Sequence, residues 1–327
     1  MESIGNGWLW AIFGVVVLGM LAVDLWVAGG GREHKVSVRE AGIWTLVWVG
    51  LSLAFAGFLW FYLDGQAGRE VANARTLEFL TGYLIEKALA VDNVFVWMLV
   101  FGFFGVAPSL QKRVLTYGVL GAILMRAGMV FGGAWLISQF GWVLYVFGAF
   151  LVFTGVHMLV AGEKETDLST NPLVGWLRRH LPLTPDFHGE RFVVWVEQGG
   201  RMVRRATPLL LALILVEISD VVFAVDSIPA IFAVTLDPFI VLTSNIFAIL
   251  GLRSMYFLLA GSADRFPLLK YGLALVLVFI GVKMLIAPWF HVPIGVSLLI
   301  VAGLLGGSLV LPGLVRRFVP GRDSSEG

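Results

Sequence analysis

The 327-residue sequence contains no cysteine. That absence removes disulfides, thiolate metal sites and cysteine nucleophiles together. Charge is scarce as well. Asp, Glu, Lys and Arg make up 14% of the residues, where a soluble globular chain carries about 25%. With a net charge of +1, no single-signed field exists to attract a nucleic acid, and none is expected as a partner. The motifs HExxH, GxSxG and the Walker loop are missing too, so no enzyme is expected. What is abundant is apolar: 58% hydrophobic residues and a mean hydropathy of +0.89. Most of such a chain belongs in a bilayer, and the informative residues are the few charges that a bilayer disfavours.

A membrane helix needs roughly 20 mostly apolar residues. Nine runs meet that length: 7–28, 41–63, 79–104, 114–138, 142–161, 207–236, 239–260, 269–287 and 292–314. The expected fold is therefore an all-α polytopic membrane protein, one transmembrane domain over 1–327. The first run is not expected to be a signal peptide, because Glu2 replaces a basic n-region and no cleavage site follows Asp24. With nine spans, the segments on the C-terminal side hold Arg32, Lys35, Arg39, Lys112, Arg113, Lys164, Arg178, Arg179, Arg191, Arg201, Arg204, Arg205, Arg265, Lys270, Arg316, Arg317 and Arg322. The opposite side holds only Arg69 and Arg75. The positive-inside rule then predicts an inner-membrane protein with its N-terminus outside and its C-terminus cytoplasmic. The longest polar stretch, 162–206, becomes a cytoplasmic loop. Its segment Phe192–Arg205 mixes apolar and basic positions, and reads either as a regulatory docking element or as an interfacial helix on anionic headgroups.

The chain also repeats itself. Residues 145–161 align without gaps to 271–287, with FxGVxML at Phe153–Leu159 and Phe279–Leu285. Upstream, Arg126 corresponds to Arg253 with an offset of one, and LAVDN ending at Asn93 corresponds to FAVDS ending at Ser227. Spans three to five (79–161) and six to eight (207–287) thus read as two copies of a three-helix unit. An odd number of spans per copy makes the copies inverted, an arrangement that places a binding site near the midplane of many transporters. Chance similarity between apolar helices is the alternative, and the matched Tyr, Arg and Asp argue against it.

Four bases lie within spans, Lys87, Arg126, Arg253 and Lys283, together with six acids, Asp24, Glu86, Asp92, Glu217, Asp220 and Asp226. Each such charge at a helix centre is unfavourable by roughly 2.5–3.5 kcal/mol, so they should line a polar interior. Under the repeat alignment Glu86 falls opposite Asp220 and Asp92 opposite Asp226. On a straight helix, acids six residues apart point about 120° away from each other. Pro229 removes an amide three residues after Asp226, so span six is expected to unwind around Val225–Ile228, and span three near Asp92-Asn93. A straight helix would instead split the acids between a substrate site and a salt bridge. Carboxylates with Asn93, Ser227 and Asn245 form an oxygen-only set suited to Mn²⁺, Mg²⁺ or Ca²⁺. Three readings stand here: a transported-cation site, structural ion pairs in which Lys87, Arg126 and Arg253 serve as charge partners, and proton-relay carboxylates. Asp24 lies in a third Ala-Val-Asp string and is either a mouth residue or a helix-end charge.

The strings EKALAVDNVFVW at 86–97, EISDVVFAVDSIPA at 217–230 and TSNIFAILGLRSMY at 243–256, with AVDL around Asp24, resemble the TerC family of integral membrane proteins, and its Alx-type branch most. The resemblance runs from span one to span nine. It implies a fold like that of LysE-type exporters, built from inverted three-helix repeats, and manganese export from the cytoplasm, with calcium suggested for some relatives. The family's acidic motif residues match Glu86, Asp92, Glu217, Asp220 and Asp226, with Asn93, Ser227 and Asn245 as polar companions. The expected activity is export of a divalent cation, Mn²⁺ before Ca²⁺, with no tightly bound cofactor and with the bilayer and the metal as partners. The competing expectation is a non-transporting assembly or tellurite-type stress factor acting through 162–206.

Overall fold

The computed structural model describes residues 3–29, 37–160, 172–198, 201–260, 268–290 and 292–318. The chain order is α1 (Gly7–Gly29), α2 (Val38–Ala67), α3 (Arg69–Phe104), α4 (Pro108–Gln139), α5 (Val143–Val160), α6 (Pro172–His180), β1 (Val193–Gln198), β2 (Arg201–Ala206), α7 (Pro208–Phe232), α8 (Pro238–Ile249), α9 (Leu252–Ala260), α10 (Leu269–Ile286) and α11 (Ile294–Phe318). The protein is an all-α polytopic membrane protein with one small hairpin. Among the described residues, seven helical segments are long and apolar enough to cross a bilayer. Two shorter apolar stretches, Tyr271–Ile286 and Ile294–Ser308, fall where the last two spans were expected. Of the basic residues used for orientation, Arg32, Lys35, Lys164, Arg265 and Arg322 lie outside the described residues, as do the side chains of Lys270, Arg316 and Arg317.

Local sequence explains where the helices begin and end. Pro108, Pro208 and Pro238 open α4, α7 and α8 at the one turn where a missing amide removes no helical bond. Asp237 caps α8 by accepting from Phe239 N, and also accepts from Ser3 Oγ at 2.6 Å and Ile4 N at 2.7 Å, which pins the N-terminal segment to that helix start. The 36 residues of α3 make a rod roughly 54 Å long, more than a hydrocarbon core spans. Its first turns, with Arg75 and Glu78, therefore extend beyond the apolar part. Gly105 ends α3 in the left-handed region at φ 63°.

The helices pack in pairs around α8. Every residue from Phe239 to Ile249 is buried: the apolar positions pack on neighbouring helices, and Thr243, Ser244 and Asn245 are hydrogen-bonded. The main neighbours are α5 against α10, α3 against α8, α2 against α3, α4 against α7, and α3 against α7. The α5–α10 crossing is made by small residues. A Cβ on Gly281 would sit 2.6 Å from the Gly148 carbonyl, and one on Gly155 would sit 2.7 Å from the Ala274 carbonyl. By the sequence match, Gly148 corresponds to Ala274 and Gly155 to Gly281, so these two close pairs exchange when the copies are exchanged. The α3–α8 and α4–α7 contacts exchange in the same way.

Two local expectations are corrected. Spans six and three do not unwind at Val225–Ile228 or at Asp92-Asn93: α7 runs unbroken through Pro229, and α3 is continuous. One lost amide is tolerated where neighbouring helices bury Ile228, Ala230 and Ile231. The break falls in span seven instead. Leu250 is extended (φ −60°, ψ 119°), and Gly251 adopts φ 99° with no room for a Cβ, since one would lie 2.9 Å from the Trp48 side chain. The second correction concerns Phe192–Arg205, where an interfacial helix had been one reading. Residues 193–198 and 201–206 form an antiparallel hairpin with Val196 opposite Val203 and Trp195 opposite Arg204. Alternation suits a strand with one covered side: Val194 is buried, while Trp195 is 61% exposed.

Candidate functional site

The buried charges fall into separate centres instead of one. The first is organised by Arg126 on α4, whose guanidinium Nη1 pairs with Glu86 of α3. The same nitrogen donates to Ser227 Oγ of α7 at 3.2 Å and to Asn245 Oδ1 of α8 at 3.1 Å. Asn245 Nδ2 closes the network by donating to the second Glu86 oxygen at 3.2 Å. All four side chains are buried, and four helices meet at one ion pair. Both Glu86 oxygens are thereby occupied by protein donors.

The second centre lies between α3 and α7. Asn93 Nδ2 donates to Asp220 Oδ1 at 2.9 Å. Among the described residues, Asp220 Oδ2, Asn93 Oδ1 and Glu217 Oε2 are all buried without a hydrogen-bond partner. Glu217 precedes Asp220 by three residues and shares its helix face. Its carboxylate rests against Gly121 of α4 where any Cβ would stand. Three acceptor oxygens without donors in a buried region are unfavourable unless something else supplies positive charge.

Asp226 faces elsewhere. On an unbroken α7, Asp220, Ala224 and Ser227 turn inward, and Val222 and Val225 are exposed along the outer side. Asp226 lies between the two and accepts from Thr154 Oγ1 of α5 at a long 3.4 Å. The helix is straight and the acids are divided, but Asp226 meets a hydroxyl, and no salt bridge to it occurs among the described residues. Thr154 was not singled out from the sequence. Its signal was a lone hydroxyl in the FxGVxML string, where the second copy has Ile280. The side chain of Asp92 lies outside the described ones, although its helix position beside Asn93 is clear.

The remaining charges hold the helices together. Arg253 Nη2 of α9 pairs with Asp24 Oδ1 of α1 at 2.9 Å, and both are buried. Lys87 Nζ donates to the Ala248 carbonyl at 3.1 Å. Ala248 sits in the last turn of α8, where a helix end leaves carbonyls without amide partners. A freed carbonyl thus occurs at the helix break of span seven, where it meets a lysine. Among the described residues, no three His, Asp or Glu side chains group as a metal-holding set.

The sequence of residues 71–323 matches the model of the integral membrane protein TerC family. The chain belongs to the TerC family. A relative from Escherichia coli K12, Alx, named as a proposed membrane-bound redox modulator, is 59% identical over 93% of this chain and 94% of its own. The protein of the same name from Salmonella typhi is 58% identical over 95% of each chain. A membrane protein of Myxococcus xanthus is 47% identical over 98% of this chain and 97% of its own. No solved structure matches the chain. The TerC assignment covers α3 to α11, the helices that carry both centres.

Proposed function

We propose that this TerC protein is an inner-membrane exporter of divalent cations, with Mn²⁺ as the principal substrate and Ca²⁺ as the alternative. One observation carries the reading. Asp220, Asn93 and Glu217 each keep a buried oxygen without a donor, while Lys87, Arg126 and Arg253 already have acceptors. Between α3 and α7 the unpaired acceptors are thus all oxygens, the ligand type that hard divalent cations take. Asp92 stands next to Asn93 on α3 and adds a further carboxylate to that stretch. Asp226 with Thr154 is a second carboxylate station on the opposite side of α7. Glu86, Ser227 and Asn245 position the helices around the ion through Arg126.

The exchange of close α5–α10 pairs under the repeat correspondence supports an inverted-repeat mechanism, in which one three-helix unit rocks against the other. Carboxylates must lose protons to take a metal, so proton antiport is the coupling that the same groups favour. The distribution of Lys and Arg supports a cytoplasmic C-terminus. Export is tested by measuring total and cytoplasmic manganese in cells loaded with excess Mn²⁺. Wild type should lower both. Asp220→Asn and Asp92→Asn should fail to do so at equal membrane abundance. Equal manganese in all strains would refute export through this site.

A second reading has its own observation. The hairpin exposes Trp195 and Met202 beside Arg204, a surface on which a partner could dock. Under that reading the protein is a non-transporting assembly or stress factor. The relatives' naming as redox modulators bears on this too. With no cysteine, this chain has no thiol for redox exchange, so a redox effect would come through the metal it moves. Replacing 193–206 by a neutral linker should leave manganese handling intact if transport is the activity, and abolish function if docking is.

A further inference from the structure

A cavity of about 590 Å³ lies away from both carboxylate centres, between the start of α3, the end of α7 with its following turn, the end of α10 and the start of α11. Its size is that of a small-ligand site. The walls are mostly apolar, with Leu144, Phe232, Met284 and Phe290 among them, and the polar groups are Arg75, Glu78, Thr235 and Lys283.

The charge count in this cavity is uneven. Glu78 is held by Arg75 Nη1 at 3.0 Å. Lys283 is half-buried on α10, and no carboxylate among the described residues lies within ion-pair distance of it. One positive charge is therefore left over inside an apolar enclosure, where an anion would stabilise it. Thr235 accepts from Asp237 N at 3.3 Å, and its own O–H has no acceptor among the described residues. A head with one negative charge and oxygen acceptors fits Lys283 and Thr235, and a hydrocarbon tail fits the remaining walls.

The rim supplies a separate observation. Trp289 is 83% exposed and Phe290 63%, directly after α10, and Trp142, two residues before Leu144, is 63% exposed. Exposed aromatics at span ends mark the level of lipid headgroups. The cavity thus opens where phosphates of the bilayer lie. On the orientation read from Lys and Arg, this is the non-cytoplasmic leaflet.

We propose that this cavity is a binding site for a lipid with an anionic phosphodiester headgroup, the phosphate held by Lys283 and Thr235 and an acyl chain lying along Phe232 and Met284. The site is independent of the transport reading, since it shares no residue with the carboxylate centres.

The test is native mass spectrometry of the full chain in detergent, titrated with phosphatidylglycerol, phosphatidylcholine or inorganic phosphate. Wild type should retain phosphatidylglycerol in preference to phosphatidylcholine. Lys283→Gln should weaken that retention about tenfold, the loss expected for one charge-assisted contact. Ala287→Trp, which keeps the lysine and fills the cavity, should weaken it similarly, and it covers the case in which Lys283→Gln fails to fold. Equal retention of phosphatidylglycerol by wild type and either folded variant would overturn the proposal. So would equal retention of the two lipids, or binding of inorganic phosphate that displaces phosphatidylglycerol at matched concentration.

Discussion

Arg253 and Asp24 form a buried ion pair at 2.9 Å that ties α9 to α1, whereas Arg126, the counterpart of Arg253 in the sequence match, pairs with Glu86 inside its own three-helix unit. The same arginine therefore serves two ends. In the first copy it joins α4 to α3, α7 and α8. In the second it recruits a helix from outside the repeat. Asp220, which corresponds to Glu86, has no arginine paired to it among the described residues, and its neighbours are the neutral donors Asn93 and Trp97.

Breaking either pair should leave a buried charge without compensation. Arg126→Gln is expected to destabilise the protein by about 3–5 kcal/mol, seen as a lower midpoint in thermal unfolding in detergent. The double variant Glu86→Gln/Arg126→Gln should recover much of that loss, because neither charge remains. Additive losses would mean that the two side chains do not act as a pair.

Asp24→Asn and Arg253→Gln should couple in the same manner. A double-mutant cycle is expected to show an interaction energy of about 1–3 kcal/mol. If Asp24 merely reaches water at a helix end, the cycle will close near zero.

Gly121 and Gly128 offer a matched comparison on α4. A Cβ at Gly121 would overlap the Glu217 carboxylate, whereas nothing lies within 4 Å of the corresponding point at Gly128. Gly121→Ala should displace Glu217, cost about 1–3 kcal/mol of stability and reduce manganese export. Gly128→Ala should keep export and leave stability equal or slightly higher, since alanine favours a helix over glycine. Cellular metal content and thermal midpoints check both.

The interruption of span seven depends on Gly251. Gly251→Ala puts a side chain at φ 99° and against Trp48, and is expected to cost about 1–3 kcal/mol from backbone strain alone. Lys87→Met should also destabilise, since it leaves the Ala248 carbonyl without its donor. Thermal unfolding of both variants against wild type is the measurement. A wild-type midpoint for Lys87→Met would show that the lysine is not needed at the break.

The membrane spans were legible because apolar length is a strong signal, and every expected run coincides with a helix or, for span seven, a helix pair. The acidic positions were legible because carboxylates are rare in such runs. Which acids share a surrounding was not, because that depended on whether Pro229 breaks α7. The proline is a local cue, and burial of Ile228, Ala230 and Ile231 outweighed it. The real break had a local cue as well, the glycine in Leu250-Gly251-Leu252, but Trp48, which leaves Gly251 no room for a side chain, comes from 203 positions earlier in the sequence. The hairpin at 193–206 was readable from two short runs flanking Gly199-Gly200. Its arginines at 201, 204 and 205 interrupt the apolar alternation on the second strand, which is why the pattern also fits a basic interfacial helix.

The span formed by α8 and α9 has its most apolar stretch wholly enclosed by protein, and its mean hydropathy of 1.5 is the lowest of the seven long segments. Such a segment gains little from lipid and much from its neighbours. During synthesis it emerges after α2, α3 and α4, the helices against which it comes to rest. Its retention in the bilayer should therefore depend on those helices being present. A truncated chain that begins at α8 should insert poorly, and a chain carrying α2 to α7 ahead of it should insert well. The order of the helices along the chain is in this sense an assembly programme.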